Sequence, residues 1–161
     1  MEYRVYKDHN LEIRKSIRSD VDYLKENLRP ADIEELRLMG ITGHKIGETI
    51  LSGFESPEST CYTVEFEGRV VLMFGIVPVN DDKASAVLWM LSTDEVRKFK
   101  KRFFKLAIDY VEMFKKDYGV LFNLIHPSNK LSLKLVEKLN AVIEEGYKNP
   151  STGEPFFLFL I

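Results

Sequence analysis

The stretch Ser85–Leu106, SAVLWMLSTDEVRKFKKRFFKL, decides how the rest of the chain is read. It opens as a strand, because Val87, Leu88, Trp89, Met90 and Leu91 form a short apolar run with β-branched and aromatic members. It closes as a helix, with Val96, Phe99, Phe103, Leu106, Ala107, Tyr110 and Phe114 at helical spacing. Ser92 or Thr93 can cap that helix, and Asp94 and Glu95 suit its positive end. Arg97, Lys98, Lys100, Lys101, Arg102 and Lys105 then crowd its first turns. A strand feeding a helix whose start is rimmed with cations is a candidate anion site. The competing reading is an amphipathic helix with a solvated basic face.

Outward from this stretch, the period of the apolar residues sets the other elements. Downstream, Val120–Ile125 is a second buried strand. His126-Pro127-Ser128-Asn129 turns the chain, and Ser128 or Asn129 caps a helix through Leu139. Ala141–Tyr147 and Phe156–Ile161 are strands joined by a turn containing Asn149-Pro150 and Ser151-Thr152-Gly153. Upstream, Tyr62, Val64 and Phe66 alternate with polar residues, Glu67-Gly68 makes a hairpin turn, and Val70–Val77 returns. Before Ser56-Pro57 lie three short helices: one from Ser19-Asp20 to Leu28, one over Ala31–Met39 closed by Gly40, and one over His44–Ser52. Leu11–Ile17 is a first strand, and residues 1–10 are ragged or an edge strand.

The resulting order is strand, helices, hairpin, strand, helix, strand, helix, strand, strand. It reads as a single α/β (α+β) domain over residues 1–161, with a mixed sheet of about six or seven strands covered by helices. The helix over Asp94–Lys116 should cross between two adjacent parallel strands, Val87–Leu91 and Val120–Ile125. Val70–Val77 and Val87–Leu91 should be among the most buried segments, with Trp89 in the core.

Composition bounds the function. The 161 residues suffice for one core, and a net charge of −2 argues against a nucleic-acid partner. One cysteine, Cys61, excludes an internal disulfide framework and fits a reducing cytoplasm. The N-terminus has no apolar signal region, and no run reaches membrane-spanning length. His9, His44 and His126 lack ligand spacing, so no metal is expected. His126 ends a strand and is of the side-chain type suited to proton transfer at neutral pH, which makes it the candidate base, with Glu65, Glu67 and Asp94 as weaker choices. A turn histidine beside a helix cap is the plainer reading of His126. Cys61 reads as packing.

The order of elements resembles the GNAT acyltransferase superfamily. More narrowly, the chain resembles the tailed-phage internal virion protein A type of GNAT-like protein. That resemblance is carried by Leu28-Arg29-Pro30-Ala31-Asp32-Ile33-Glu34-Glu35 followed by Gly40, by Val71–Pro78, by Trp89–Asp94, by Leu121-Phe122-Asn123 with Asn129 beyond, and by Gly153-Glu154-Pro155-Phe156. It implies a phage or prophage origin, acetyl-CoA or coenzyme A as cofactor, and an amine or lysine acceptor. It also implies a coenzyme site on Leu91, Ser92, Thr93, Arg97, Lys98, Lys100, Lys101 and Arg102, with Asn129 at the pantetheine arm. Two departures stand out. Residues 92–106 hold no glycine, where the family places a glycine-rich turn. Val136 stands seven residues after Asn129, where many members have an acidic tyrosine. A GNAT-fold phage protein without catalysis, acting in virion assembly or in host interaction through contacts with a phage or host protein, is the alternative.

Overall fold

The computed structural model describes residues 5–161. Eight strands form one sheet in the order β1-β2-β3-β4-β5-β6-β8-β7. They are β1 (Tyr6–Asp8), β2 (Leu11–Lys15), β3 (Thr60–Phe66), β4 (Arg69–Pro78), β5 (Ser85–Ser92), β6 (Val120–Ile125), β7 (Val142–Lys148) and β8 (Pro155–Leu160). The count exceeds the expected six or seven because Tyr6–Asp8 pairs with Leu11–Ile13 as a short edge hairpin. All neighbours are antiparallel except β5 and β6. The helices are α1 (Arg18–Asn27), α2 (Pro30–Leu38), α3 (His44–Glu55), α4 (Lys100–Lys115) and α5 (Lys130–Lys138).

Local chemistry explains these elements. Pro30 opens α2 at its first position, where the missing N–H costs nothing. Asp20, three residues into α1, accepts a hydrogen bond from the Ile17 N–H at 2.9 Å and closes that helix start from inside. The β3–β4 hairpin turns on Glu67 and Gly68, both with positive φ (53° and 78°), as a two-residue primed turn requires. Gly75 sits where a Cβ would lie 2.0 Å from the Thr60 carbonyl oxygen, so only glycine lets β4 approach β3 there.

Two apolar layers cover the sheet. Tyr62, Phe74, Phe103, Tyr110 and Phe114 centre one core, beneath α4. Val21, Leu24, Leu36, Ile50, Met73 and Leu91 centre the other, beneath α1, α2 and α3. Val71 through Ile76 of β4 are buried, as expected of a strand covered on both faces. The same expectation fails for β5: Leu88, Trp89 and Met90 are only half-buried. The reason is that β5 loses its neighbour on one side. The expected helix over Asp94–Lys116 is also two pieces, a 3-10 turn (Asp94–Lys98) and α4, joined at Phe99 with φ −137° and ψ 16°. Side chains three apart eclipse in a 3-10 turn, so Val96 and Phe99 both enter the core, and Phe99 stacks on Phe66 at 4.8 Å. Among the described residues, no helix is long and apolar enough to cross a membrane.

Candidate functional site

The parallel pair β5–β6 is joined only at its start. Ser85, Ala86 and Val87 register with Val120, Leu121 and Phe122, and no pair follows, although β5 continues to Ser92 and β6 to Ile125. The two strands splay into a V. Asn123 stands at the vertex, where its Nδ2 donates to the Leu88 carbonyl at 3.0 Å. Along β5, odd-numbered residues face β4: Thr93 N donates to Val71 O, and Ser85 O accepts from Val79 N. Even-numbered residues therefore face the V. Leu88 O is taken by Asn123, and Ser92 N donates to Asp32 Oδ2 at 2.8 Å. Between them, the N–H and C=O of Met90 point into the gap with no strand beside them, an edge ready to pair with an extended ligand.

Helix α2 wedges across the open end of the V. Asp32 reaches the end of β5 through Ser92 N, and Arg29 N donates to Ser92 O at 2.9 Å. Glu35, one turn on, reaches the end of β6: its Oε2 accepts from His126 N at 2.9 Å and from Asn129 Nδ2 at 3.1 Å. Arg29 Nη2 donates to Asp32 Oδ1 and to Asn129 Oδ1, each at 2.7 Å. Asn129 Oδ1 also caps α5 through Ser132 N. Arg29, Asp32, Ser92 and Asn129 are all buried. Asp32 thus pairs with the guanidinium directly, and half-buried Glu35 is linked to it only through Asn129.

This crowding sets the protonation of the site. Burial pushes Asp32 upward, opposed by the Arg29 charge and the Ser92 amide. Burial raises Glu35 from 4.5 to about 7; the His126 amide and Asn129 pull it back, and the Asp32 charge pushes it further up. Glu35 is a carboxyl poised near neutral pH. It also lines a cavity of about 80 Å³ that runs through the V. Trp89 and Glu35 line it on the α2 side; Phe103, Ala107 and Val111 of α4 line it on the other.

The expected site residues fall in several places. Leu91, Ser92 and Thr93 are buried at the end of β5. Thr93 Oγ1 accepts from Glu95 N, and Thr93 O accepts from Val96 N. The Glu95 and Val96 amides of the 3-10 turn are thereby spent internally. Arg97 is exposed, and Lys98 leans on Glu95 at 3.8 Å. Arg102 turns away to the β1–β2 loop, donating to Asn10 at 2.9 Å. Lys100 and Lys101 border a groove between α4 and α5, with Lys105, Lys134 and Lys138 around a floor of Phe104, Ile108 and Leu131. His126 stands at the open end of the V with both ring nitrogens engaged, Nδ1 with Ser128 Oγ at 2.6 Å and Nε2 with Glu154 Oε1 at 3.1 Å. Val136 is buried and lines the cavity. Glu65 pairs with Arg14, far along the sheet. Cys61 is buried against Ser16, and burial raises its thiol to about 12. Among the described residues, no group of three or more His, Cys, Asp or Glu is placed to hold a metal ion.

Sequence reasoning missed Glu35 and Asp32. The available signal was their spacing: carboxylates three apart, sharing a face with Leu36, sit on the side of α2 that must be buried.

Comparison with solved structures places this geometry in a known fold. An acetyltransferase from Agrobacterium tumefaciens aligns with TM-score 0.71 at 9% identity, covering all of this chain and 95% of that one. An acetyltransferase of the GNAT family from Bacillus anthracis aligns at 0.65 and 15% identity, covering 98% and 96%. A spermidine N-acetyltransferase chimera from Vibrio cholerae aligns at 0.66 and 16% identity, covering 95% of each. A family model described as "Bacteriophage T7, probable scaffold protein Gp13" matches residues 69–148, just under half of the chain. No curated protein matches. From the splayed strands outward, the fold of this chain is that of the GNAT acetyltransferases.

Proposed function

We propose that the protein is an acyl-CoA-dependent N-acyltransferase of phage or prophage origin, acting on an amine. The observation that carries this reading is Glu35, a carboxyl held near pKa 7 in the wall of the cavity that threads the V. The residues present suit a coenzyme A thioester in three respects. The free edge at Met90 offers a peptide-like donor and acceptor to a pantetheine arm. The cavity is mostly apolar. Lys100 and Lys101, with Lys134 across the groove, offer charge to phosphates. The Glu95 and Val96 amides of the 3-10 turn are spent on Thr93, which leaves the lysines a larger share of the phosphate end.

Acyl-CoA would supply the activated acyl group as a thioester when bound. The chain supplies the proton path. An amine enters as an ammonium, and Glu35 Oε2 is already occupied by His126 N and Asn129. Its Oε1 is left to take one proton. The amine nitrogen then forms the new N–C bond as the C–S bond breaks, and the amine's second proton goes to the departing sulfur. Val136 cannot deliver that proton, so water must. His126 serves as a positioning residue: its backbone N–H fixes Glu35, while Glu154 and Ser128 fix its ring. The spermidine N-acetyltransferase among the structural neighbours makes polyamines the first acceptors to try, before lysine peptides.

The test is thiol release from acetyl-CoA with a panel of polyamines and lysine peptides, alongside calorimetric titration of coenzyme A. Turnover that falls about 10²–10⁴-fold in Glu35→Gln, with coenzyme A binding kept, supports the reading. The family match over residues 69–148 favours a second one, a GNAT fold used for protein contacts in phage assembly. Absence of both binding and turnover would select it.

A further inference from the structure

We infer that the protein pairs with a second copy of itself, sheet against sheet, through an uncovered face of β5, β6, β8 and β7; this stands apart from the acyl-CoA reading. The register of the sheet lines five apolar side chains into one row: Val77, Val87, Phe122, Leu160 and Val142 are successive partners on β4, β5, β6, β8 and β7. They share the face of Met73, Leu91 and Trp89, because residues two apart on a strand point the same way. The layer of α1, α2 and α3 covers that face as far as Trp89, where α3 comes so close that a Cβ on Gly53 would stand 3.2 Å from the indole. Beyond it, none of the five is fully buried, and none joins a core among the described residues. Val142 is 61% exposed. Leu124 and Leu158 continue the apolar surface one row above, and half-exposed Val120 continues it one row below.

Area, charge and shape together select a second copy as the occupant. Strands about 4.8 Å apart and rows about 6.8 Å apart make a surface of roughly 25 by 20 Å, about 500 Å² on each copy. Two such faces bury about 1,000 Å², the low end of specific protein pairing. The row carries no charge, so it calls for no oppositely charged partner; apolar against apolar is complementary to itself, as a two-fold contact requires. Its ends are net negative, with Glu144 and Glu145 on β7 and with Asp81 and Asp82, against Lys83, after β4. That disfavours an anionic lipid surface or a nucleic acid. Helices α1, α2 and α3 stand on the same face above the row. A two-fold axis along the row sets the helix layers of the two copies at opposite ends, clear of each other, while the sheets stack about 10 Å apart. Pairing through the outer edge of β7 is opposed by its bulge between Glu144 and Tyr147, where Gly146 has φ 82°.

The experiment is sedimentation equilibrium of the protein over a range of concentrations, repeated on Val120→Glu, Val142→Glu and Tyr23→Glu. Val120 and Val142 stand at exposed positions of the face on separate strands, so one variant can fail to fold without ending the test. Tyr23, 42% exposed on α1, is the control away from the face. The parent should dimerise with a Kd of about 1–100 µM. Each folded face variant brings like charges of the two copies into an apolar contact and should weaken the dimer about ten-fold or more, with Tyr23→Glu unchanged. A parent that stays monomeric up to about 1 mM overturns the proposal. So does a dimer that the folded face variants leave intact. Loss in Val142→Glu but not in folded Val120→Glu overturns it as well, because the contact then runs through the edge of β7 and not through the face.

Discussion

Glu35 concentrates the chemistry of the molecule at one residue, and its behaviour with pH has a worked sign. Its folded pKa, about 7, lies above the ordinary 4.5. Its contribution to stability is therefore complete below about pH 4.5 and is lost as pH rises through 7, because the folded state must then hold a buried carboxylate. The loss is about 3 kcal/mol at most. Glu35→Gln should abolish this slope and melt higher than the parent at pH 8, as thermal unfolding across pH 4.5–8 would show. Activity should run the opposite way. The parent's kcat/KM should rise with an apparent pKa near 7, and Glu35→Gln should lack that limb. Asp32 answers to a different rule. Asp32→Asn strands the Arg29 guanidinium, which is 4% exposed, without its counter-charge. We expect a cost of about 3–5 kcal/mol by denaturant titration, with Arg29→Met in the same background recovering much of it.

At the scale of elements, the sequence disclosed the strands and helices but not the gap between them. The change of period at Ser92–Asp94 and again at Val120 placed β5 and β6 and the helical stretch between them, though not its break at Phe99, and the parallel pairing of the two strands follows from the crossover. Nothing in Val87–Leu91 marks where pairing stops. That is decided by α2, whose Asp32 and Glu35 take the strand ends that β5 and β6 would otherwise offer each other. A one-dimensional pattern records which face of an element is apolar; it does not record which distant carboxylate will claim an amide. Asn129 illustrates the overlap: it was legible as a cap for α5, and it is one, while its contacts to Arg29 and Glu35 were invisible. The basic cluster was legible as charge but not as direction, since Arg102 and Lys98 turn aside and Lys100 and Lys101 stay at the groove. Gly75 tests the packing of the hairpin. Gly75→Ala would drive a Cβ against the backbone carbonyl of Thr60, which cannot rotate away as a side chain could. The variant should lose about 3 kcal/mol or more, or fail to accumulate as soluble protein.

For the whole molecule, the charge distribution predicts how a coenzyme would be held. Net charge is −2, so attraction of an anion must come from the local lysines rather than from the overall field. Exposed lysines are screened by salt. Coenzyme A affinity should fall steeply between low and high ionic strength, and Lys100→Ala with Lys101→Ala should remove most of that dependence. Calorimetry at two salt concentrations checks both.

The sheet order carries a consequence for how the chain reaches this state during synthesis. The last strand, β8, lies between β6 and β7, pairing Phe122–Ile125 on one side and Val142–Lys148 on the other. Until Pro155–Leu160 has left the ribosome, β6 keeps a bare edge and β7 has no strand to rest against. The nascent protein thus passes through a stage at which β6 and β7 are made but both ladders to β8 are missing. In that interval the exposed edge can pair with a neighbouring nascent chain, and arrival of the last six strand residues is what ends the risk.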